Sequence, residues 1–423
     1  MLAGVHILVA LFLWWRWFFR SEKITATAMG FLVIVKVLVG YYLSAYYLNK
    51  YGGGDMHGYM LDAMKLNGFF YQDPASFLRL IFLGDESGAA AGKVLSSLQI
   101  WYDSGFRPGY NDAQTVTRFH AILSLFTGGN LWLHLLWSNF LSVIGIRWLL
   151  IFFLGDQHGN SVPLWTWLVA LLPNVLLWSS PVLKEPLLLF VMGGVLKGVG
   201  VLQTEKSVKG FLFLAVMLIA FCLIKYFWLL LMLPGIIVLL MWPSSGKLNE
   251  WRMAGVYLFC FLLVLLAGHL TPSLHLPALL YGQQLNMWRF AVFMHAGSLV
   301  EPVPFAPTDL SLLRYTPYAF IYALIQPLPS QVNTAVMWPM MLESMLLVVV
   351  LLTGLIVWVR RRMGNAVIAS FGMLSGAAMM IISGLTTPVL GTLVRYRMPG
   401  VILVVLAVLN LILKSRKSSH SKS

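Results

Sequence analysis

Long apolar segments, different in sequence but similar in length, follow one another from one end of this chain to the other. Examples are residues 26–48, 131–155 and 334–358, each about 20 residues long. That length and composition suit the hydrocarbon core of a bilayer. Lipid offers no hydrogen-bond partners, so each span must be a helix or part of a closed barrel, and continuous rather than alternating apolar patterns favour helices. The sequence predicts an all-α, polytopic transmembrane bundle.

Composition supports the same class of protein. The chain of 423 residues is 59% hydrophobic and only 10% charged, whereas a soluble domain is about 25% charged. The formal net charge of +14 does not indicate a nucleic-acid partner, because the basic residues cluster at the ends of the apolar runs. The two cysteines lie within apolar runs and predict neither a disulfide framework nor a metal site. No nucleotide-binding motif is present.

Hydropathy windows of ~19 residues predict about eleven spans. They are placed at 1–19, 26–48, 131–155, 162–178, 184–202, 208–223, 226–242, 252–270, 334–358, 366–385 and 397–414. The first segment lacks the basic start and the small-residue cleavage site of a signal peptide, so we expect it to be retained. The spans form a single membrane domain over 1–423 that ends in a basic tail, 414–423.

Lysines and arginines in the short connections set the orientation. With the spans alternating as placed, the basic connections near 20–23, 206–209, 247–252 and 360–362 fall on the same side as the tail. The positive-inside rule makes that side cytoplasmic. The N-terminus is then outside and the C-terminus inside. Two long segments, 49–130 and 271–333, then face outward.

A glycine-rich loop opens the first outward segment. Three glycines at 52–54 precede Asp55, and glycine accepts backbone angles that other residues avoid, so the loop can hold the carboxylate close to a ligand. Within residues 57–65, apolar and polar residues alternate at helical spacing, which predicts a helix. Asp55 could instead cap that helix. Asp55 is thus a candidate catalytic carboxylate, and His57 and Tyr59 beside it are candidate substrate contacts.

Two arginines precede the last span on the outward side. The positive-inside rule disfavours Arg395 and Arg397 in a short outer turn, so their presence needs a reason. Guanidinium groups form fork-shaped donors that suit a phosphate or pyrophosphate. If the turn is extended, successive side chains point to opposite sides, so these two arginines, two residues apart, lie on one face. The alternative is that they anchor the span at the lipid headgroups.

Other ionisable residues lie at or inside the apolar runs. Lys184 and Glu185 share a short outward turn, and Lys225 lies between two apolar half-spans. Charges so near the hydrocarbon often mark a site, but a local ion pair or a snorkelling lysine explains them equally well. Lys36 and Glu343 lie within spans, where structural pairing is the expected use.

Taken together, several short pieces of the chain resemble the GT-C glycosyltransferases. They are residues 53–59, 173–185, 326–329 with Glu343, and 391–399. The order of features along the chain also resembles that of these enzymes, with many spans, outward loops and an arginine-rich turn before the last helix. The resemblance is to bacterial members related to the family-39 enzymes and covers most of the chain. The chain departs from the pattern by having a span before the one that leads into the aspartate loop, and by lacking a second carboxylate next to Asp55.

The resemblance implies a GT-C-like fold and a hexosyl- or pentosyltransferase of the bacterial cytoplasmic membrane, working in cell-envelope or exopolysaccharide biosynthesis. The implied donor is a sugar on polyprenyl phosphate, and a glycan or lipid-linked acceptor would bind on the periplasmic face. Asp55 would act as the base, and Arg395, Arg397 and Lys184 would hold the donor phosphate. No cofactor is required; a divalent metal is possible but is not indicated by the sequence.

Two other functions remain open at this point. One is a polysaccharide polymerase or ligase that acts on polyprenyl-pyrophosphate-linked repeat units, with Arg289 or Arg314 in the second outward segment as the key cations. The other is a transporter of lipid-linked saccharides. Transporters often show paired repeats and charges near the midplane, and the sequence shows no internal repeat.

Overall fold

The computed structural model describes residues 2–16, 23–101, 111–155, 163–205, 207–241, 250–361 and 366–420. This part of the chain is helical, and its one β feature is an isolated bridge between Leu299 and Val389. The α-helices are α1 (Leu2–Trp14), α2 (Lys23–Tyr51), α3 (Asp55–Gln72), α4 (Pro74–Leu78), α5 (Ala89–Leu95), α6 (Asp112–Thr127), α7 (Leu131–Leu154), α8 (Pro173–Trp178), α9 (Lys184–Thr204), α10 (Val208–Met241), α11 (Glu250–Leu270), α12 (Leu276–Phe293), α13 (Asp309–Ile325), α14 (Met337–Arg361), α15 (Val367–Thr386) and α16 (Leu390–His420).

Within the described ranges, eight helices are long and apolar enough to cross a membrane: Thr25–Tyr51, Leu131–Leu154, Lys184–Thr204, Val208–Met241, Trp251–Leu270, Met337–Arg360, Val367–Thr386 and Leu390–Leu413. The protein is therefore an all-helical membrane protein, as predicted, while the count of about eleven spans is not confirmed. The predicted first span contains a helix of only 13 residues, α1. The predicted span 162–178 is broken into a 3-10 helix, Leu164–Leu171, and the short α8.

Helix α10 is a hairpin of two arms rather than one rod. Its 34 residues would span about 51 Å if straight, yet Val208 and Leu240 line the same cavity. The side chain of Gln203, at the end of α9, also donates to the carbonyl of Leu239 at 2.8 Å. The backbone leaves helical geometry at Lys225, with φ −164° and ψ 74°. The chain therefore reverses at Lys225, between the two segments that the sequence indicated.

Small residues let the central helices approach closely. A Cβ at Gly145 of α7 would lie 2.2 Å from the carbonyl oxygen of Leu189 in α9. In the same way, a Cβ at Gly400 of α16 would lie 2.6 Å from the carbonyl oxygen of Gly376 in α15. Close backbone approach through small residues is the common way in which membrane helices associate. The result places α16, the most buried of the spans at 78%, at the centre of the bundle.

We call the end of the bundle where α2 ends and α7 begins the upper end. The segment between α8 and α9 lies below it, because the carbonyl of Ser180 accepts from Asn139 at 2.8 Å. Asn139 is eight residues into α7, or about 12 Å at a rise of ~1.5 Å per residue. Residues 179–189 are buried, which non-helical backbone at this depth requires. The start of α9 is thus recessed below the upper end.

Helices α3 and α6 of the first long loop lie over this recess. Met56, Tyr59 and Val116 share a hydrophobic cluster with Trp178 and Leu183 from the recessed segment. The loop is held by Asp62, which is fully buried and accepts from the backbone N–H groups of residues 99 and 100, both at 2.8 Å. Asp62 is therefore a structural anchor, and α3 is rigidly placed where it begins, at Asp55.

Candidate functional site

Arg395 joins the first long loop to the last span. Its Nη1 donates to Oδ2 of Asp55 at 2.7 Å, and its Nε donates to Oε1 of Glu185 at 2.7 Å. The three residues come from α16, α3 and α9, and 340 positions separate Arg395 from Asp55. Two carboxylates therefore hold one guanidinium, and the residues that the sequence singled out in three distant segments meet at one point.

Asp55 is not a helix cap. It is the first residue of α3, the N-cap is Gly54, and no side-chain capping hydrogen bond is present. Gly52 and Gly53 have φ values of 69° and 132°, which glycine adopts without the strain that a side chain would bring. The glycine loop thus positions the carboxylate so that it accepts from Arg395 and not from the backbone N–H groups of α3.

The Asp55 carboxylate is the accessible member of the pair. Its side chain is 55% exposed, whereas that of Arg395 is 11% exposed. Desolvation where the carboxyl group meets the protein raises the pKa of Asp55, but the charge and hydrogen bond of Arg395 outweigh that effect and Lys184 adds to them, so the pKa of Asp55 lies below its ordinary value. Asp55 is therefore ionised at neutral pH.

A second ion pair lies beside the first. Lys184 donates through Nζ to Oδ2 of Asp112 at 2.9 Å, and the two side chains are 10% and 13% exposed. Asp112 is the first residue of α6, whose N-cap Asn111 accepts from the backbone N–H of Ala113. Asp112 is not among the site residues that the sequence predicted. Its only signal was its place at the end of a turn-rich segment, which is also the ordinary place for a helix-starting aspartate.

Lys225 brings a third cation to the same place from the tip of α10. The residue is 3% exposed, and its Nζ lies 4.2 Å from the ring centroid of Tyr396. The rings of Phe227 and Trp228 lie at 5.3 and 5.9 Å. No carboxylate lies within ion-pair distance of it in the described part of the chain. Aromatic faces therefore stabilise a lysine whose ammonium is available to an anion.

These groups form what we call the charged cluster: Asp55, Asp112, Lys184, Glu185, Lys225 and Arg395. It contains three carboxylates and three cations, so its formal charge is zero. Glu185 is 2% exposed, and its second carboxylate oxygen is buried without a hydrogen-bond partner, as is Nη2 of Arg395. Unpartnered buried polar atoms are costly, and two of them in one pair suggest a place where a ligand supplies the missing contacts.

The two other candidates from the loop occupy different positions. Tyr59 is 2% exposed, and burial raises the pKa of its phenol. It packs in one hydrophobic cluster with Trp178. His57 is half-buried, its Nδ1 has no hydrogen-bond partner, and burial lowers the pKa of its imidazole. His57 lies against Gly53, so it flanks the loop and does not join the charged cluster.

Arg397 does not face the cluster, contrary to the sequence-based expectation of two arginines on one face. That expectation required an extended turn, but the segment is helical, because α16 begins at Leu390. Residues two apart on an α-helix point in nearly opposite directions. Arg397 is fully buried and belongs to a separate network inside the bundle.

We call that network the buried arginine site. Nη1 of Arg397 donates to the carbonyls of Ala323 and Gln326, the latter at 2.6 Å, and Nη2 donates to the hydroxyl of Ser344 at 2.8 Å. Glu343, 2% exposed, accepts from the backbone N–H of Asn174 at 2.5 Å. The guanidinium thus satisfies carbonyls where α13 ends, and its role is structural.

Lys36 has a structural role as well. It is fully buried in α2 and donates through Nζ to the backbone carbonyl and the hydroxyl of Ser179, both at 2.6 Å. A lysine from α2 therefore fixes the irregular segment that precedes Lys184. This agrees with the structural use expected from its place within a span.

Comparison with known proteins adds no family: no family model, no curated protein and no solved structure matches the chain. The chemistry of the site therefore has to be argued from its own groups. In the described ranges, no group of three or more His, Cys, Asp or Glu residues is arranged to hold a metal ion. The cluster instead combines an accessible carboxylate with recessed cations, which suits proton acceptance next to an anionic group.

Proposed function

We propose that the protein is a membrane glycosyltransferase that moves a sugar from a polyprenyl-phosphate donor to a hydroxyl acceptor. The observation that carries the proposal is the contact of Asp55 with Arg395, beside Lys184 and Lys225. Sugar transfer needs a base for the acceptor hydroxyl and positive charge on the leaving phosphate. The charged cluster offers both within one recess.

The recess also suits a lipid-borne substrate. A phosphate at a membrane surface carries its charge at the headgroup and its chain in the hydrocarbon. The cations lie at the starts or tip of apolar helices, so a headgroup bound to them would have its chain at the depth of the hydrocarbon. With the orientation set by the basic connections, the recess faces the periplasm of a bacterial cytoplasmic membrane.

The residues then take the following roles. Asp55 accepts the proton of the acceptor hydroxyl. Arg395, Lys184 and Lys225 stabilise the phosphate oxygen that gains charge as the glycosidic bond breaks. Glu185 holds Arg395 in place, and Asp112 does the same for Lys184. Arg397 has no part in substrate binding.

The charge of the cluster favours this function over the polymerase alternative. Among the described residues, Lys225 is the one cation of the cluster without a carboxylate at ion-pair distance, which suits the single charge of a sugar phosphodiester better than the larger charge of a diphosphate. Arg289 and Arg314, the arginines that the alternative needs, are not among the residues that contact the cluster in the described part of the chain. The alternative would be supported if either arginine proved essential while Asp55 was dispensable.

A complementation assay with analysis of lipid-linked intermediates tests the proposal. Cells without the chromosomal gene would receive the wild type, Asp55→Asn, Arg395→Lys or Glu301→Gln. Glu301 is an exposed carboxylate outside the cluster and serves as the matched control. We expect the first two variants to accumulate polyprenyl-phosphate sugar and to lose the glycan product, while the control behaves as wild type. Full activity of both cluster variants at normal protein levels would contradict the proposal.

A further inference from the structure

The two carboxylates on Arg395 differ sharply in access to solvent. The Glu185 side chain is 2% exposed, whereas that of Asp55 is 55% exposed. A buried carboxylate that loses its cation is strongly destabilised, but an exposed one is readily solvated by water. Glu185 is therefore a permanent partner of Arg395, and Asp55 is an exchangeable one.

The geometry of the guanidinium shows what could replace Asp55. Glu185 binds Nε, Asp55 binds Nη1, and Nη2 has no hydrogen-bond partner. The edge formed by Nη1 and Nη2 carries parallel N–H groups that match two oxygens of a phosphate. Asp55 uses one of these two nitrogens. A phosphate on the same edge would use both of them, and it cannot bind there while Asp55 remains.

We propose that Asp55 and the substrate phosphate exchange on Arg395, so that binding of the phosphate releases the Asp55 carboxylate for proton transfer. This inference rests on the proposed function. It orders the reaction: the donor phosphate binds first, and the base becomes available only then. The ion pair thus keeps the carboxylate out of use until a donor is present.

Release matters because a carboxylate in an ion pair is a weak base. The guanidinium keeps the pKa of Asp55 below its ordinary value, which opposes proton acceptance. Once the phosphate takes the guanidinium, that effect is removed, and a phosphate anion nearby raises the proton affinity of the carboxylate further. Donor binding therefore makes Asp55 a stronger base.

The charges balance through the transfer step. The acceptor oxygen forms a bond to the anomeric carbon, and its proton passes to Asp55. The bond between that carbon and the phosphate oxygen breaks, and its electron pair stays on the phosphate, which changes from a singly to a doubly charged anion. The cluster loses one negative charge at Asp55 as the phosphate gains one. An initially neutral cluster thus becomes net positive at the moment when the leaving group needs it.

Binding of farnesyl phosphate to the full-length protein in detergent tests the exchange. Affinity would be measured at pH 7.5 for the wild type, Asp55→Asn, Arg395→Lys and the control Glu301→Gln. We expect Asp55→Asn to bind about fivefold more tightly, because an ion pair with an exposed partner is worth at most ~1 kcal/mol. Arg395→Lys should bind at least tenfold more weakly, and the control should match the wild type.

The possible results separate the exchange from the proposed function. If Asp55→Asn binds with wild-type or weaker affinity while Arg395→Lys loses binding, the exchange is wrong and the lipid-phosphate site stands. If the wild type does not bind farnesyl phosphate, both the exchange and the proposed function are wrong. Should Asp55→Asn fail to give monodisperse protein, Asp55→Ala and Asp55→Ser carry the same prediction, because each removes the competing charge.

Discussion

Two arginines that stand two residues apart on α16 have opposite surroundings. Arg395 contacts the carboxylates of the exposed Asp55 and the buried Glu185. Arg397 is fully buried and donates to backbone carbonyls and to Ser344. The first arrangement leaves one donor nitrogen and one carboxylate oxygen without partners, and the second uses both terminal nitrogens. The guanidinium of Arg395 therefore keeps one terminal nitrogen open to a ligand, whereas both terminal nitrogens of Arg397 are already used.

The largest effect should come from Arg397. Arg397→Ala would leave the carbonyls of Ala323 and Gln326 and the hydroxyl of Ser344 buried without their donor and would open a cavity, at a cost of about 3–5 kcal/mol. We expect little protein in the monodisperse peak of size-exclusion chromatography. Arg397→Lys should not restore it, because an ammonium cannot reproduce the planar fork. A well-folded but inactive Arg397→Ala protein would mean that Arg397 belongs to the site.

The matched change at Arg395 should reduce activity while leaving the protein folded. Arg395→Lys keeps a cation beside the buried Glu185 but loses the two-sided fork, so we expect folded protein with transfer activity reduced by about 100-fold or more. Melting temperature and activity would be measured on the same preparation. Equal losses of stability in Arg395→Lys and Arg397→Lys would remove the distinction between the two arginines.

The carboxylates near each arginine offer a second comparison. Asp55→Asn should lower activity by about 100-fold or more, because it removes the base, and should lower the stability by at most ~1 kcal/mol. Glu343→Gln should leave activity largely intact, since its amide oxygen can still accept from Asn174, and should cost only ~1 kcal/mol of stability. Activity would be followed by loss of donor lipid. Strong inactivation by Glu343→Gln in stable protein would count against the assignment.

The smallest effect is the pH dependence of the Asp55 ion pair. Arg395 lowers the pKa of Asp55, so the pair stabilises the folded protein above the ordinary carboxyl range and is lost as the pH falls through the lowered pKa. More than half of the side chain is exposed, so the contribution is at most ~1 kcal/mol. The difference in melting temperature between the wild type and Asp55→Asn should therefore be constant from about pH 5 to 8 and shrink below about pH 4. A difference that grew in acid would contradict the ion pair.

Local patterns predicted the class of protein and several parts of the site. Hydropathy indicated the helical membrane bundle, and the break at Lys225 follows from a charge between two apolar half-spans. The glycine loop before Asp55 was also visible, because glycines followed by a polar residue after a span are a local signal. The choice between helix cap and site residue was not visible, since it depends on Arg395, 340 positions away.

Long-range pairing and local backbone form could not be predicted. Asp112 was missed because nothing in its own segment indicates that Lys184 lies opposite. Arg397 was misplaced because a turn before a span can be extended or helical, and that choice decides whether residues two apart share a face. The count of about eleven spans is not confirmed, and at 162–178, where Pro173 stands between a 3-10 helix and α8, composition alone does not separate a crossing helix from a broken one.

The identity of the lipid left after the reaction shows whether Asp55 and Arg395 act on a sugar carried by a lipid monophosphate. The lipid that accumulates in Asp55→Asn cells would be purified and supplied with acceptor to wild-type protein in proteoliposomes, and the product lipid would be analysed by mass spectrometry. We predict release of polyprenyl monophosphate by the wild type and none by Asp55→Asn. Release of polyprenyl diphosphate, or a lipid left unchanged by the wild type, would contradict the account.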